Sequence, residues 1–236
     1  MASSETSQPI GGLVDASPAR RPERTILRGR AISLVPLNAD AHADVLFEGA
    51  NGGEKDRVWT YLFDGPYTDR AVFRANIEAK ALSEDPLFFA IVDNATGKAV
   101  GYQTFLRIEP RHRVIEVGNI LYTPAMQRTI GATEAQYLFA RHVFDDLGYR
   151  RYEWKCNNLN APSKRAALRF GFTFEGVFRQ HMIVKDRNRD TAWFAMLDGE
   201  WPARRAAFEQ WLAPENFDLS GRQRVSLSTL NRQEAD

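Results

Sequence analysis

Two spacings of apolar residues alternate along the chain between about residues 25 and 214. Apolar side chains at every second position favour strands, and those at every third or fourth position favour helices. In chain order these spacings predict a strand, two helices, three antiparallel strands, a helix, a strand, a helix, two strands and a last helix. That order is typical of an α/β (α+β) layered fold around one mixed sheet.

The predicted boundaries follow residues that start or stop these patterns. Pro36 ends the first strand, Asn38 begins the first helix and Thr68 begins the second. The predicted strands are 31–35, 88–92, 99–108, 114–122, 151–156, 172–185 and 191–197, with a polar turn at 186–190 between the last two. The predicted helices are 38–47, 68–82, 133–147, 160–171 and 202–212.

The two ends of the chain lack a regular apolar pattern. Residues 1–24 are rich in Ser, Pro, Ala and Arg, which predicts a flexible leader. Residues 215–236 are mostly polar and predict a tail, in which Val225 and Leu227 can make one docked contact. The ordered domain is therefore expected over residues 25–214.

Composition excludes several classes of function. The 31 basic and 30 acidic residues of the 236-residue chain leave a net charge of +1, which gives no reason to expect nucleic acid or an anionic membrane as a partner. The start of the chain lacks a secretion signal, and one cysteine, Cys156, fits a reducing cytoplasm and a packed core position. The four histidines show no metal-ligand spacing, so no metal is predicted.

The stretch from Gln127 to Thr133 joins a predicted strand to a predicted helix through small residues. The first backbone N–H groups of a helix have no partner within the helix, and the helix dipole is positive at that end. Phosphate groups are stabilised at such a position, and Arg128 can add charge-assisted hydrogen bonds. The stretch predicts a phosphate-bearing ligand, although an ordinary strand-to-helix connection uses the same small residues.

Several motifs resemble those of the GNAT acyl-CoA-dependent N-acetyltransferases over about residues 25–200. Gln127-x-x-Ile130-x-Ala132 is similar to the pyrophosphate loop of that family, Q/R-x-x-G-x-G/A. Three further motifs resemble the branch that acetylates the N-termini of ribosomal proteins. They are Ala132-Thr133-Glu134-Ala135, Asn160-x-x-Ser163 and Phe170-Gly171-Phe172-x-x-Glu175-Gly176. The resemblance implies a mostly antiparallel sheet with a splayed strand pair and helices on both faces, and acetyl-CoA as co-substrate.

The resemblance also implies which residues contact acetyl-CoA. It places Asn160 beside the arm of the coenzyme and makes Ser163 the group that protonates the leaving thiolate. Asn160 followed by Pro162 equally fits a helix start that needs no ligand, and both roles stay open. The implied coenzyme-binding residues are Ile120, Leu121, Tyr122, Gln127, Arg128, Thr129, Ile130, Gly131, Ala132, Thr133, Asn160 and Ser163.

The loop departs from the family pattern at one position. Ile130 stands where the central glycine is usual, and Gly131 follows one place later. Isoleucine does not easily adopt a positive φ. Either the loop shifts its register by one residue, or the ligand meets N–H groups whose geometry never required glycine. This departure motivates a second hypothesis, a non-catalytic acyl-CoA-binding or regulatory module with the same fold.

Two carboxylates are candidates for the general base that an amine acetylation needs. Glu116 lies in an otherwise apolar strand, where burial would raise its pKa towards the working pH. Glu153 lies on the next strand, opposite the face of Tyr152 and Trp154. We favour Glu116, because Gly118 and the following Asn119 suit a bulge that would splay this strand and admit the thioester.

An aromatic group of residues is expected to line the acceptor pocket, with core packing as the simpler alternative. The acceptor is a small amine, an amino acid or a protein N-terminus, and attack on the thioester is direct. The sequence leaves both a monomer and a homodimer open. The candidate acceptor-binding residues are Trp59, Tyr61, Tyr67 and Tyr102, with Phe178 and His181 as further neighbours.

Overall fold

Two apolar cores lie on opposite faces of one eight-stranded sheet in a computed structural model that describes residues 8–233. Successive side chains of one strand point to opposite faces of the sheet, so a single strand contributes to both cores. Phe89 and Ile91 belong to the larger core, whereas Phe88 and Ala90 belong to the smaller one. The predicted fold class, a mixed sheet with helices on both faces, is confirmed.

Six of the seven neighbouring strand pairs in the sheet are antiparallel, and one pair is parallel. The order is β1-β2-β3-β4-β5-β6-β8-β7, and only β5 and β6 run parallel to each other. The strands are β1 Leu27–Arg28, β2 Ile32–Pro36, β3 Leu87–Asp93, β4 Ala99–Glu109, β5 Val114–Tyr122, β6 Arg151–Asn157, β7 Thr173–Val184 and β8 Arg187–Leu197.

The helices divide between the two faces of the sheet. Residues of α1, α2 and a 3-10 segment over Gly53–Trp59 form the smaller core, and residues of α3 to α6 join the larger core. A π-helical turn, His142–Asp146, follows α3 directly. The helices are α1 Ala39–Ala50, α2 Arg70–Leu82, α3 Ile130–Arg141, α4 Ala161–Arg169, α5 Trp201–Leu212 and α6 Leu227–Gln233.

The start of α2 differs from the prediction by one residue. The side chain of Asp69, rather than that of Thr68, accepts hydrogen bonds from the backbone N–H groups of Ala71 and Val72. A carboxylate cap also interacts favourably with the helix dipole, so it is the stronger of the two adjacent candidates.

The C-terminal segment is part of the domain, which corrects the predicted tail. Leu227 is fully buried and Leu230 is 2% exposed, and both belong to the larger core. The two leucines are three residues apart, so one turn of α6 presents both to the same surface. Arg204 of α5 also donates a hydrogen bond to the backbone oxygen of Asn231. Residues 234–236 lie outside the described part of the chain.

The described part of the predicted leader, residues 8–24, contains neither helix nor strand. Its last residues lie along the domain, because the backbone N–H of Ala19 donates to Pro110 O at 3.0 Å and that of Arg20 donates to Leu147 O at 3.1 Å. The flexibility of the leader stays a prediction, and residues 1–7 lie outside the described range.

The turn between β7 and β8 is shorter than predicted. Only Lys185 and Asp186 connect the strands, and both have a positive φ, of 50° and 58°. A two-residue turn of this conformation matches the twist of a hairpin. Strand β8 therefore begins at Arg187, and Arg189 lies within a strand rather than in a polar turn.

A buried carboxylate fixes the start of the domain to α3. Glu134 accepts hydrogen bonds from three successive backbone N–H groups, those of Arg30 at 2.8 Å, Ala31 at 2.7 Å and Ile32 at 3.0 Å. Gly29 leaves room for this carboxyl, since a Cβ there would lie 2.5 Å from its Cδ. The contact holds β2 against the helix that carries the predicted phosphate loop.

We expect Glu134→Ala to lower the free energy of unfolding by about 3 kcal/mol, because three buried N–H groups lose a charged acceptor. Urea denaturation measures the change. Glu78→Ala serves as the control, since that carboxylate is 54% exposed on its side chain and pairs only with Arg74 on the surface of α2. A loss for Glu134→Ala of less than about 1 kcal/mol would contradict the anchoring role.

Among residues 8–233, no helix combines the length and the apolar character needed to cross a membrane. The same residues contain no cluster of three or more His, Cys, Asp or Glu side chains arranged to hold a metal ion.

Candidate active site

The parallel strands β5 and β6 separate partway along their length. They pair from Val114 opposite Arg151 to Val117 opposite Trp154, and then pair no further. Residues 118–122 of β5 and 155–157 of β6 therefore border an open cleft within the sheet. The splayed strand pair that the sequence resemblance implied is confirmed.

A bulge in β5 accompanies this separation. The register between β4 and β5 shifts between the pairs Tyr102–Leu121 and Thr104–Gly118, and Asn119 has a φ of 46°. Gly118 is needed at this point, because a Cβ would lie 2.9 Å from a methyl carbon of Leu106. The predicted bulge is confirmed, and one extra residue on β5 reverses its alternation.

That reversal changes where the side chains after the bulge lie. Leu121, which is fully buried, joins the core beneath α1 and α2. Ile120 and Tyr122 pack on the opposite face, against the larger core. Ile120 therefore does not share a face with Glu116, although simple alternation along the strand would place them together. Leu121 can offer only its backbone to a ligand in the cleft.

At the end of the cleft, α3 begins with unpartnered backbone N–H groups. Thr129 caps the helix, and its Oγ1 accepts a hydrogen bond from Ala132 N at 3.1 Å. The N–H groups of Arg128, Ile130 and Gly131 donate to no partner within residues 8–233. The helix starts three residues before the predicted position, so it places these groups, rather than Thr133, at its positive end.

Ile130 occupies a position that does not require glycine. It is the first helical residue of α3, and the positive φ of the loop falls on Arg128, at 63°. Gly131 has a packing role instead, because a Cβ there would lie 2.6 Å from the Cγ2 methyl of Ile32. The sequence left open either a shift of the loop by one residue or a loop whose N–H groups do not need glycine at position 130. The structure favours the second alternative.

The remaining residues of this loop hold the strand to the helix. Gln127 donates from Nε2 to the backbone oxygen of Tyr122 at 3.0 Å. The hydroxyl of Tyr122 accepts from Gln136 Nε2 at 2.7 Å and lies 3.0 Å from Gln103 Oε1. Thr133 is buried, and its hydroxyl accepts from Arg169 Nη1 at 3.0 Å.

Across the cleft, the start of α4 packs on β6. Asn160 is the N-cap, and its Oδ1 accepts from Ser163 N at 3.1 Å, as the simpler interpretation of this motif predicted. The Oγ of Ser163 accepts from the indole Nε1 of Trp154 at 3.0 Å. Cys156 is 6% exposed and burial raises the pKa of its thiol, so its predicted core position is confirmed.

Both candidate carboxylates belong to one buried charge cluster. Glu116 and Glu153 lie directly opposite each other on β5 and β6. Between them lies Lys155, whose side chain is 4% exposed and whose Nζ is 2.9 Å from Glu116 Oε2 and 2.7 Å from Glu153 Oε2. The ammonium also lies 3.8 Å from the ring centroid of Trp193. Arg107 completes the cluster, with its Nε 3.3 Å from Glu116 Oε2.

The two carboxylates differ in how many of their oxygens are free. Both oxygens of Glu153 bind cations, because Oε1 accepts from Arg151 Nε at 2.6 Å while Oε2 contacts Lys155. In Glu116 only Oε2 contacts cations. Its Oε1 lies next to Gly118, 3.5 Å from the position that a Cβ on this glycine would occupy. Burial raises the pKa of Glu116, although Lys155 and Arg107 oppose the rise. Glu116 thus has a free oxygen beside the separation of the strands.

The predicted acceptor residues divide between the core and the cleft. Trp59 is fully buried and donates from Nε1 to Ala50 O at 2.7 Å, so its side chain belongs to the core and does not form a pocket wall. Tyr102, 1% exposed, contributes to the floor of a hollow of about 380 Å³ that Phe63 and Asn119 also line. Tyr67 is half-buried and donates to Asp64 Oδ2 at 2.9 Å.

Contacts to the β7–β8 hairpin and to the start of α4 hold the loop over residues 59–67 in place. Lys185 Nζ at the hairpin tip donates to the backbone oxygens of Trp59 at 2.9 Å and Gly65 at 2.8 Å. Tyr61 bridges from the same loop to the start of α4 by donating to Leu159 O at 3.2 Å. The loop over residues 59–67 is therefore held across the cleft from both sides.

Sequence reasoning missed the cations of this site. Lys155 was accessible from the sequence, because it follows Glu153 by two residues on one strand and so shares its face. Arg189 was assigned to a turn, although it lies in β8 and is 7% exposed. His181, which the sequence placed near the pocket, lies with its Nδ1 2.9 Å from Thr191 Oγ1. Burial and nearby cations lower the pKa of His181, which disfavours its protonated form.

Comparisons with known proteins agree with this geometry. The family model of the acetyltransferase (GNAT) domain matches residues 32–173, which is more than half of the chain. The chain belongs to the GNAT acetyltransferase family. This acetyltransferase is 51% identical to a GCN5-related N-acetyltransferase from Brucella melitensis, with a TM-score of 0.90 over 92% of this chain and 99% of that structure. It is therefore an N-acetyltransferase.

Two further similarities place the acetyltransferase more closely. A probable acetyltransferase of the GNAT family from Chromobacterium violaceum is 39% identical, with a TM-score of 0.76. The similarity covers 84% of this chain and 100% of that structure. The ribosomal-protein-serine acetyltransferase of Escherichia coli (strain K12) is 31% identical over 98 residues, 42% of this chain and 54% of that relative. The chain thus covers about half the length of this curated relative, and the predicted resemblance to that branch is confirmed.

Proposed function

We propose that this acetyltransferase transfers an acetyl group from acetyl-CoA directly to a primary amine. The observation that carries the proposal is the free oxygen of the buried Glu116 at the point where β5 and β6 separate. Strand β5 runs from Glu116 towards the loop that opens α3, so the cleft has a base where the strands separate and unpartnered N–H groups beyond the end of β5. Holding both reactants in one cleft supplies a large part of the rate.

The residues at the start of α3 fit the pyrophosphate of coenzyme A. Three N–H groups, those of Arg128, Ile130 and Gly131, are free to donate, and the helix dipole favours an anion there. The exposed side chain of Arg128 and the guanidinium of Arg169 beside Thr133 add positive charge. When bound, acetyl-CoA supplies the electrophilic carbonyl carbon that an amine attacks.

Glu116 is the proposed general base. An ammonium group has no lone pair, so it must lose a proton before it can attack a carbonyl carbon. Oε1 of Glu116 takes this proton, directly or through a water molecule. The raised pKa of Glu116 brings its basicity closer to that of the acceptor than an ordinary carboxylate allows.

Ser163 is the proposed proton donor on the other side of the cleft. Its Oγ accepts the indole N–H of Trp154, which directs the hydroxyl hydrogen away from Trp154 and leaves it as the group that donates to the leaving thiolate. Asn160 orients the first turn of α4 by capping it, which holds Ser163 in place.

Two classes of acceptor have support. The bridge from Lys185 to the loop over residues 59–65 narrows the cleft, which favours a small amine or amino acid over an extended peptide. Similarity to the ribosomal-protein-serine acetyltransferase favours a protein N-terminus. The alternative of a non-catalytic acyl-CoA-binding module was motivated by Ile130, and the ordinary helical position of that residue removes this motivation.

A binding and turnover experiment tests the proposed function. Thermal melting with and without acetyl-CoA reports binding, and release of free thiol reports turnover over a panel of small amines, amino acids and N-terminal peptides. We expect a higher melting temperature with acetyl-CoA, because binding to the folded state alone stabilises it, and thiol release that depends on an amine. Stabilisation by acetyl-CoA without release on any amine would instead favour the binding module.

A further inference from the structure

Arg189 is a largely buried residue whose guanidinium has no acidic partner within residues 8–233. Arg189 is 7% exposed, and no carboxylate oxygen of residues 8–233 lies within 4.0 Å of it. Its Nε donates to Thr191 Oγ1 at 3.2 Å, and its two Nη atoms donate to no group in the same range. A buried charge is normally paired, because transfer from water is costly. The two Nη groups are unpaired but accessible, so they can bind an anion that enters the cleft.

Two further cations lie near Arg189. Arg107 and Lys155 lie in the same region of the cleft, and together with Arg189 they lower the pKa of His181. Glu116 contacts Arg107 and Lys155, and Glu153 contacts Lys155, but within residues 8–233 neither carboxylate contacts Arg189. An anionic ligand group can therefore pair with Arg189 without displacing one of these carboxylates.

The position of Arg189 relates the anion site to the reacting centre. Glu116 and Arg107 are both near enough to influence the pKa of Arg189. The guanidinium also lies 5.2 Å from the ring centroid of Phe63, which is 47% exposed at the edge of the cleft. A planar guanidinium fixed on an aromatic ring presents its two Nη groups in the geometry that binds two oxygens of one anion.

We propose that the acceptor is a small molecule that carries an anionic group, a carboxylate or a phosphate, next to its amine, and that Arg189 with Arg107 binds this group. The proposal rests on the proposed function and narrows its substrate class. With the anion on Arg189, the amine of the same molecule reaches the free oxygen of Glu116. Arg189 is a binding residue that determines specificity and takes no part in proton transfer.

Matched acceptor pairs test the proposal. Each pair differs only in the anionic group: the L-α-amino acids against their amides, and O-phosphoethanolamine against ethanolamine. Peptides with a serine N-terminus and either a neutral or an acidic second residue form a third pair. For at least one of the small-molecule pairs, we expect kcat/KM to be about tenfold higher for the anionic member, the size of one charged hydrogen bond. The pair that shows the preference identifies the group as carboxylate or phosphate.

Two variants of the chain distinguish an effect on binding of the anionic group from an effect on folding. Arg189→Met should reduce the preference to less than about twofold, chiefly through KM, and Arg189→Lys should restore part of it. Arg187→Met is the control, because Arg187 lies two residues away on the same strand but is exposed. The ratio between the two members of a pair does not respond to a general loss of stability.

A binding measurement keeps the proposal testable if no acceptor is turned over. In the presence of coenzyme A, inorganic phosphate and acetate should raise the melting temperature of the unmodified chain and of Arg187→Met more than that of Arg189→Met. Equal shifts for all three proteins would overturn the anion site. Turnover of amines without any preference for the anionic member would overturn it as well, while leaving acetyl transfer intact. A preference confined to the acidic peptide would overturn the assignment to a small molecule.

Discussion

Replacing Glu116 by glutamine is expected to lower kcat about a hundredfold or more, the usual contribution of a general base. Glutamine keeps the size of the side chain but cannot take a proton. The effect should appear in kcat, because the variant removes proton transfer rather than binding of either substrate. Steady-state kinetics with the best acceptor of the panel provide the measurement.

Glu153→Gln is the matched comparison for this variant. Glu153 faces Glu116 across the parallel strands and contacts the same Lys155, so both variants remove one carboxylate from one cluster. We expect Glu153→Gln to keep most of the turnover, since both oxygens of that carboxylate bind cations. The reverse result would assign the base to Glu153 and contradict the role of Glu116.

The pH dependence of turnover provides a second readout of the same prediction. The active form of Glu116 is the carboxylate, so activity is present above its pKa and is lost as the pH falls through that value. Burial raises this pKa above the ordinary value of 4.5, and the acidic limb of the rate profile should therefore lie above that pH. Glu116→Gln should abolish this limb and leave only the titration of the acceptor amine.

Replacing Lys155 by methionine is expected to destabilise the fold by about 3–5 kcal/mol, the usual result of removing one partner from a buried ionic cluster. Lys155 is the cation between two carboxylates that face each other. Without it, their repulsion raises the pKa of Glu116 further, so turnover at neutral pH should fall as well. Urea denaturation and the pH profile measure the two effects.

Two companion variants show whether this effect comes from the carboxylates. Glu153→Gln combined with Lys155→Met removes the repulsion and should recover part of the lost stability. Lys98→Met removes an exposed lysine of the β3–β4 hairpin and should change stability by less than about 0.5 kcal/mol. If Lys155→Met behaves like Lys98→Met, the cluster has no structural role and the account of Lys155 is wrong.

Much of the fold followed from local patterns in the sequence. Strand β5 has the predicted bounds, because its run of apolar residues is long and ends at turn residues on both sides. The bulge was predictable from Gly118 and Asn119, which weaken a strand interior. The start of α3 was misplaced, because Thr129 and Thr133 are both plausible caps, and the close approach of Gly131 to Ile32 at the true start is not visible in a local pattern.

Features that depend on distant parts of the chain were not predictable in the same way. Leu227 and Leu230 lie in a helix that is too short to show a periodic apolar pattern in the sequence. Their role is visible only in the structure, where both pack into the larger core. Arg189 carries a charge, which normally indicates exposure, so its strand was interpreted as a turn. Its burial depends on contacts with distant parts of the chain such as Phe63, whose ring centroid lies 5.2 Å from the guanidinium and which precedes it by more than 100 residues.

The candidate site was predicted in part for the same reason. Glu116 and Glu153 stood out as acidic residues in apolar strands, but nothing in the sequence shows that they lie opposite each other. That relation comes from the parallel register of β5 and β6. Trp59 belongs to an aromatic run that fits either a pocket wall or the core, and the hydrogen bond from its indole N–H to Ala50 O selects the core.

Direct acetyl transfer is tested by the mass of the acceptor after incubation with acetyl-CoA that carries a deuterium-labelled acetyl group. We expect the unmodified chain to move the label to the amine, and Glu116→Gln to do so about a hundredfold more slowly. The chain alone, without an amine, should acquire no label. Label that remains on coenzyme A with every amine, or that accumulates on the protein before reaching the amine, would contradict direct acetyl transfer.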